Sequence, residues 1–218
     1  MQKRILAAMA AGAMLVSTGV FAADEGDWMV RARAVHVSWV EGDSSAVPAL
    51  GVPEGGIHLA HKTIPEVDIS YFFTKNIAAE LILTYPQKHG VHVTESVAGA
   101  FDAGFFKELP PSLTVQYHFS PDATLRPYVG AGLNYTRFSS IDLSSLDAKS
   151  GGVNTLSKSS TGAVLQAGFD YKLGANTYLN VDLKKVYIEA DLTNSVLGKL
   201  STIKGDPLLI GVGIGMKF

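Results

Sequence analysis

Cysteine is absent from all 218 residues. Disulfide scaffolds, thiolate metal sites and thiol catalysis are excluded with it. After residue 22 no apolar run approaches the ~20 residues of a spanning helix, which excludes a bundle of membrane helices. Charge is scarce and balanced: Lys and Arg number 18 against 20 Asp and Glu, a formal net charge of −2 without a basic block. Nucleic acid is therefore not an expected partner. What remains is a chain with 47% hydrophobic residues and 22 glycines, a balance that suits a single β-rich domain.

The first residues form a secretory signal. Lys3 and Arg4 are its basic start, Ile5 to Val20 its apolar stretch, and Val20-Phe21-Ala22 its processing site. Cleavage is expected after Ala22, which divides the chain into a signal peptide, 1–22, and one domain, 23–218.

The last thirteen residues, Asp206 to Phe218, set the reading of that domain. In an extended strand Leu208, Ile210, Val212, Ile214, Met216 and Phe218 share one face, while Leu209, Gly211, Gly213, Gly215 and Lys217 share the other. A greasy outside and a glycine-lined inside fit the wall of a barrel lying in lipid. The aromatic C-terminus is similar to the signal by which barrel-assembly machinery recognises outer-membrane barrels, so that machinery is an expected partner.

Seven further strands precede it: Trp28 to Val40, Glu66 to Thr74, Ile77 to Tyr85, Leu113 to Phe119, Leu125 to Phe138, Gly162 to Leu173 and Thr177 to Ile188. Short turns at Thr74-Lys75-Asn76, Ser120-Pro121-Asp122-Ala123 and Gly174-Ala175-Asn176 alternate with four long segments. One of these, Gln87 to Lys107, has a part from Ser96 to Lys107 that could hold a short helix. The fold class expected is all-β, an eight-stranded antiparallel transmembrane barrel with four long external loops and three short periplasmic turns. Tyr71, Phe73, Tyr117, Phe119 and Phe218 crowd the periplasmic ends as an interfacial girdle would. Lys185, on a lipid-facing position, predicts a bulge or the water-exposed end of its strand.

Two blocks carry a family resemblance. Leu109-Pro110-Pro111-Ser112-Leu113-Thr114-Val115-Gln116-Tyr117-His118-Phe119 and Arg126-Pro127-Tyr128-Val129-Gly130-Ala131-Gly132-Leu133-Asn134-Tyr135-Thr136 resemble the OmpW outer-membrane protein family. The similarity reaches back to Trp28-Met29-Val30-Arg31-Ala32-Arg33 and on to Lys217-Phe218. It implies an eight-stranded barrel in the outer membrane of a Gram-negative bacterium, uptake of small hydrophobic molecules, and a lateral opening. Least correspondence lies in the external loops, so the receptor roles of some members do not carry over.

Strand polarity lets the lumen be read by height. Low in the barrel, inward positions carry Arg31, Arg33, Glu80, Arg126, Asp170 and Lys172, with Asp182 and Lys184 a little higher. Higher up they carry Val35, Val37, Trp39, Ile82, Phe138, Val164, Val186 and Leu209, with Ile188 at the rim. Opposed charges in so narrow a barrel must pair. The expectation is a charged periplasmic plug beneath an apolar channel, though small barrels also need charges simply to fill their interior. Pro86, Pro110 and Pro111 meet at one seam between adjacent strands. Proline has no N–H for the ladder, so they mark either a lateral opening or the points where both strands leave the membrane.

Histidine pairs at His58/His61 and His89/His92 fall in segments read as external loops, and neither is completed by a third ligand at a usable spacing. No serine–base–acid set stands near the outer rim, so no enzyme, metal or cofactor is expected. Uptake of small hydrophobic solutes across outer-membrane lipid is the function expected. The alternative is a structural, adhesive or receptor barrel acting through its loops.

Overall fold

The computed structural model describes residues 26–39 and 46–218. The expected signal peptide, 1–22, and Val40, the last residue of the expected first strand, lie outside the described residues. Eight strands close on themselves: β1 (Trp28–Ser38), β3 (Lys62–Phe72), β4 (Ile77–Leu83), β7 (Ser112–His118), β8 (Leu125–Asp142), β10 (Ser159–Lys172), β11 (Thr177–Val186) and β14 (Leu208–Lys217). Each pairs antiparallel with its neighbours in that order, and β14 returns to β1 from Met29↔Lys217 to Ser38↔Leu208. The alternation read from sequence is the reason. Val212, Ile214 and Ile210 face out, and Gly211, Gly213 and Gly215 face the lumen.

The outward face is apolar around the wall, with Leu81, Leu113, Val115, Leu133, Leu165 and Val212 all exposed. A soluble barrel would turn this face inward; here lipid covers it. At the short-turn end Trp28, Tyr71 and Phe73 touch in series, and Tyr117 meets Phe119. They form the expected aromatic girdle.

The four long connections are more ordered than their polarity suggests. The segment from Gln87 to Lys107, whose part from Ser96 could hold a short helix, instead forms β5 (Gln87–Val93) and β6 (Phe101–Leu109), which pair with each other. The cause is a bulge at Gly104 (φ +140°), where an added side chain would strike the Asp142 carbonyl. It moves the buried positions from Ala103 to Phe106, a spacing of three that imitates a helix. β6 continues along the upper part of β8, and β2 (Ile57–Leu59) adds to β5. A small sheet of β9 (Asn154–Leu156), β12 (Glu189–Asn194) and β13 (Gly198–Lys204), with helix α1 (Ser144–Ser150), completes a cap over the barrel. Its core is Val47, Val52, Val93, Leu143, Leu146 and Leu192. Lys185 makes no bulge: β11 and β14 stay in register to Lys185↔Leu208, and its ammonium donates to the Asp206 carbonyl at the strand's upper end.

Candidate functional site: a vestibule above an ion-paired section

Strand register assembles the lower lumen. Arg31 lies opposite Asp68 and Arg33 opposite Glu66 on β3, while Glu80 on β4 lies opposite Ser70. The stems of both arginines lie along β14, with Arg31 Cγ 3.1 Å from where a side chain on Gly215 would begin and Arg33 Cδ 3.3 Å from that of Gly211. The glycine face therefore makes the room that the arginines occupy.

Arg31 is wholly buried. Its guanidinium donates to Asp170 at 3.1 and 2.7 Å, to Glu80 at 2.6 Å and to Ser70 at 2.6 Å. Arg33 contacts Asp68 at 3.1 Å, Asp182 at 3.2 Å and Glu66 at 3.4 Å. Lys184 pairs with Glu66 and lies 3.2 Å from Asp182. Three cations thus meet five carboxylates, and neutral donors reach three of them, Glu80, Asp182 and Asp170, whereas among the described residues Asp68 has only its ion contact with Arg33. Gln166 donates to Glu80 and Asp182 at 2.9 and 2.8 Å, Tyr128 to Asp182 at 2.6 Å, and Asn180 to Asp170 at 2.8 Å. Such mutual pairing is what allows charges to remain in a confined interior. Below it Met29, Phe72, Ala78 and Tyr178 pack together, with the His118 ring 5.0 Å from Phe72.

Six of the eight expected plug residues join this network. Arg126 does not: although opposite Asp170, it donates to the Ala123 carbonyl at 3.3 Å and lies over the Tyr178 ring. Nor does Lys172, which is exposed at the short-turn end of β10, where the strand meets its turn. Glu66, Asp68 and Gln166 were legible on inward positions; Tyr128 and Asn180 were legible only as polar lumen residues.

Above the network stand two cavities. The lower, about 40 Å³, rests on Glu66 and Lys184 and is walled by Val37, Ile82, Val186 and Leu209. The upper, about 110 Å³, is walled by Trp39, Phe106, Phe138, Ile188 and the cap's apolar core. Of the expected channel residues, Val35 and Val164 line neither; both are fully buried, Val35 in the apolar cluster of Trp39 and Val164 in that of Phe138. His89 was read as loop surface, yet it is buried, because β5 turns it inward against Glu108. His92 remains on the surface, 2.6 Å from Asp102, and His61 accepts the Trp39 amide. Among the described residues no group of His, Asp and Glu is arranged to hold a metal ion.

The proline seam is a break in the strand ladder. The β4–β7 ladder ends at Ile82↔Ser112, and pairing resumes only at Gln87↔Glu108 between β5 and β6. The β3–β4 ladder ends at Val67↔Leu83. Thr84, Tyr85 and Pro86 therefore have no ladder partner on either side. Thr84 Oγ1 donates to the Pro65 carbonyl at 2.9 Å, and Gln87 Nε2 to the Tyr85 carbonyl at 2.9 Å. Across the gap, Pro110 and Pro111 present no N–H, and their carbonyls turn to Asn134 on β8. Thr84 and Pro110 line the lower cavity, and Tyr85 and Pro86 are exposed outside.

Comparison with known proteins agrees with this architecture. The outer-membrane protein y4mB of Sinorhizobium fredii is 39% identical, over 96% of this chain and 90% of its own length. The dibenzothiophene metabolism operon protein PahQ of Pseudomonas aeruginosa is 27% identical over 90% of each chain. The crystal structure of outer membrane protein OprG from Pseudomonas aeruginosa superposes with a TM-score of 0.70 at 26% identity, covering 89% of this chain and 97% of that one. The family model for the OmpW family matches residues 24–218. The protein is a member of the OmpW family, an eight-stranded barrel of the Gram-negative outer membrane.

Proposed function

We propose that the protein takes up small hydrophobic molecules from outside and releases them sideways into the outer membrane. The observation that carries this reading is the contiguity of three features. An apolar vestibule opens towards the external loops, a buried ion-paired section closes the lumen beneath it, and an unpaired wall segment flanks the cavity between them. An apolar solute gains roughly 25 cal/mol for each Å² it withdraws from water, so the vestibule attracts it and the bilayer keeps it. Passage straight down would require opening Arg31, Arg33 and Lys184 from their carboxylates, leaving buried charges unpaired. Displacing Thr84–Pro86 breaks no ladder hydrogen bond. The route is therefore vestibule, lower cavity, seam and outer leaflet, with the network as a plug. The name of PahQ ties that relative to the metabolism of dibenzothiophene, an apolar molecule, which agrees with a solute of this kind. The C-terminal strand ending at Phe218 is the segment we assign to the barrel-assembly machinery.

Trp39→Asp tests the vestibule. In liposomes holding the folded barrel, uptake of an apolar probe should fall, while a charged solute of similar size should be excluded before and after the change. Equal apolar uptake by the variant and the parent protein would refute the reading.

A further inference from the structure

The junction of the two cavities holds polar atoms that neither the plug nor an apolar path explains. Trp39, 8% exposed, lines the upper cavity, and His89, 2% exposed, lines the lower. Their rings stand edge to face with centres 5.2 Å apart, while Phe106 stacks on His89 at 5.6 Å. Glu108 lines both cavities. Trp39 Nε1 and His89 Nδ1 have no hydrogen-bond partner among the described residues. His89 Nε2 lies 3.1 Å from the Glu108 carboxylate, which is off the direction of its N–H. Buried donors and acceptors are seldom left without partners, and each such case calls for an explanation.

We propose that this junction recognises a hydroxyl group on an otherwise apolar solute, such as an aliphatic alcohol; the inference rests on the uptake reading above. A hydroxyl offers one donor and two acceptor lone pairs. Trp39 Nε1–H can only donate. His89 Nδ1 can accept in the tautomer that carries the proton on Nε2, the ring nitrogen nearer Glu108. One hydroxyl at the rims of the two touching rings therefore serves both, receiving from Trp39 and donating to His89. A hydrocarbon that displaces water from the junction leaves both groups unpaired, and a site built to pair a hydroxyl discriminates against the analogue lacking it. A carboxylate is rejected for a different reason: Glu108 lines both cavities, and the cation beneath the lower one, Lys184, is already paired with Glu66.

The test uses the full-length barrel in nanodiscs, with N-phenyl-1-naphthylamine as reporter and octane, 1-octanol or octanoate as competitor. Binding is corrected for partition into protein-free discs. Octanol should displace the reporter at roughly tenfold lower activity than octane, with octanoate weakest. Trp39→Phe and His89→Phe each remove one hydrogen-bonding group while keeping a ring, and each should bring the octanol-to-octane ratio close to one. An octanol-to-octane ratio near one in the parent protein, or a preference kept by both variants, would overturn the inference and leave the vestibule standing. Failure of the reporter to bind beyond protein-free discs would overturn the uptake reading, and the hydroxyl site with it.

Discussion

Replacing Arg31 by methionine removes the cation that joins β1 to both β4 and β10. Met fills a similar volume along Gly215, so the change acts mainly on charge. Glu80 keeps Ser70 at 2.9 Å, Gln166 at 2.9 Å and Arg33 at 3.5 Å. Asp170 is less fortunate, since of its donors only Asn180 remains, at 2.8 Å. Two cations would then face five carboxylates in a section with no water-exposed side. Removing one partner of a buried pair costs about 3–5 kcal/mol, and the surplus of carboxylates puts this case towards the upper end. Urea unfolding of the purified barrel in lipid, followed by the gel mobility of unheated samples, reads the loss. Adding Asp170→Asn to Arg31→Met removes the stranded charge and should recover most of it, because coupled sites do not add. A single variant within about 0.5 kcal/mol of the parent protein would refute the view that these ions depend on one another. So would a double variant that unfolds as easily as the single one.

Gly215→Leu should destabilise the barrel by about 1–3 kcal/mol in the same assay, since its Cβ would begin 2.9 Å from Met29 and 3.1 Å from Arg31. An unchanged urea midpoint would show that the arginine stems do not need the glycine face. The folded barrel should migrate differently before and after heating. External protease should cut first at the exposed tips around Val97 and Val196, leaving the eight wall strands whole. Cleavage within β1 or β14 would contradict the topology.

The wall was legible because strand side chains alternate and lipid demands an unbroken apolar face. β14 and β7 show this without interruption, so the positions of Arg31, Arg33, Glu80, Asp170, Asp182 and Lys184 followed from parity alone. What parity cannot show is which way a long side chain turns. Arg126 and Asp170 are register partners, yet Arg126 lies over Tyr178 instead. The vestibule was harder to read. One inserted residue beside Gly104 disguises β6 as helix, which hid the inward aim of Phe106 and Glu108 and, on the paired β5, of His89. The cap's core draws single apolar residues from several loops, such as Val52, Leu143 and Leu192, and no local period announces them.

The seam offers the most direct test of uptake with lateral release. The chain has no cysteine, so Tyr85→Cys with Leu109→Cys supplies the sole two thiols, one on the unpaired segment and one at the end of β6. Crosslinking them pins Thr84–Pro86 to β6 and leaves the vestibule and the ion network untouched. Transfer of an apolar probe from the external solution into the surrounding bilayer should stop in the crosslinked barrel and return with reductant. Transfer that continues at the uncrosslinked rate, with the crosslink verified, would contradict lateral release through this segment.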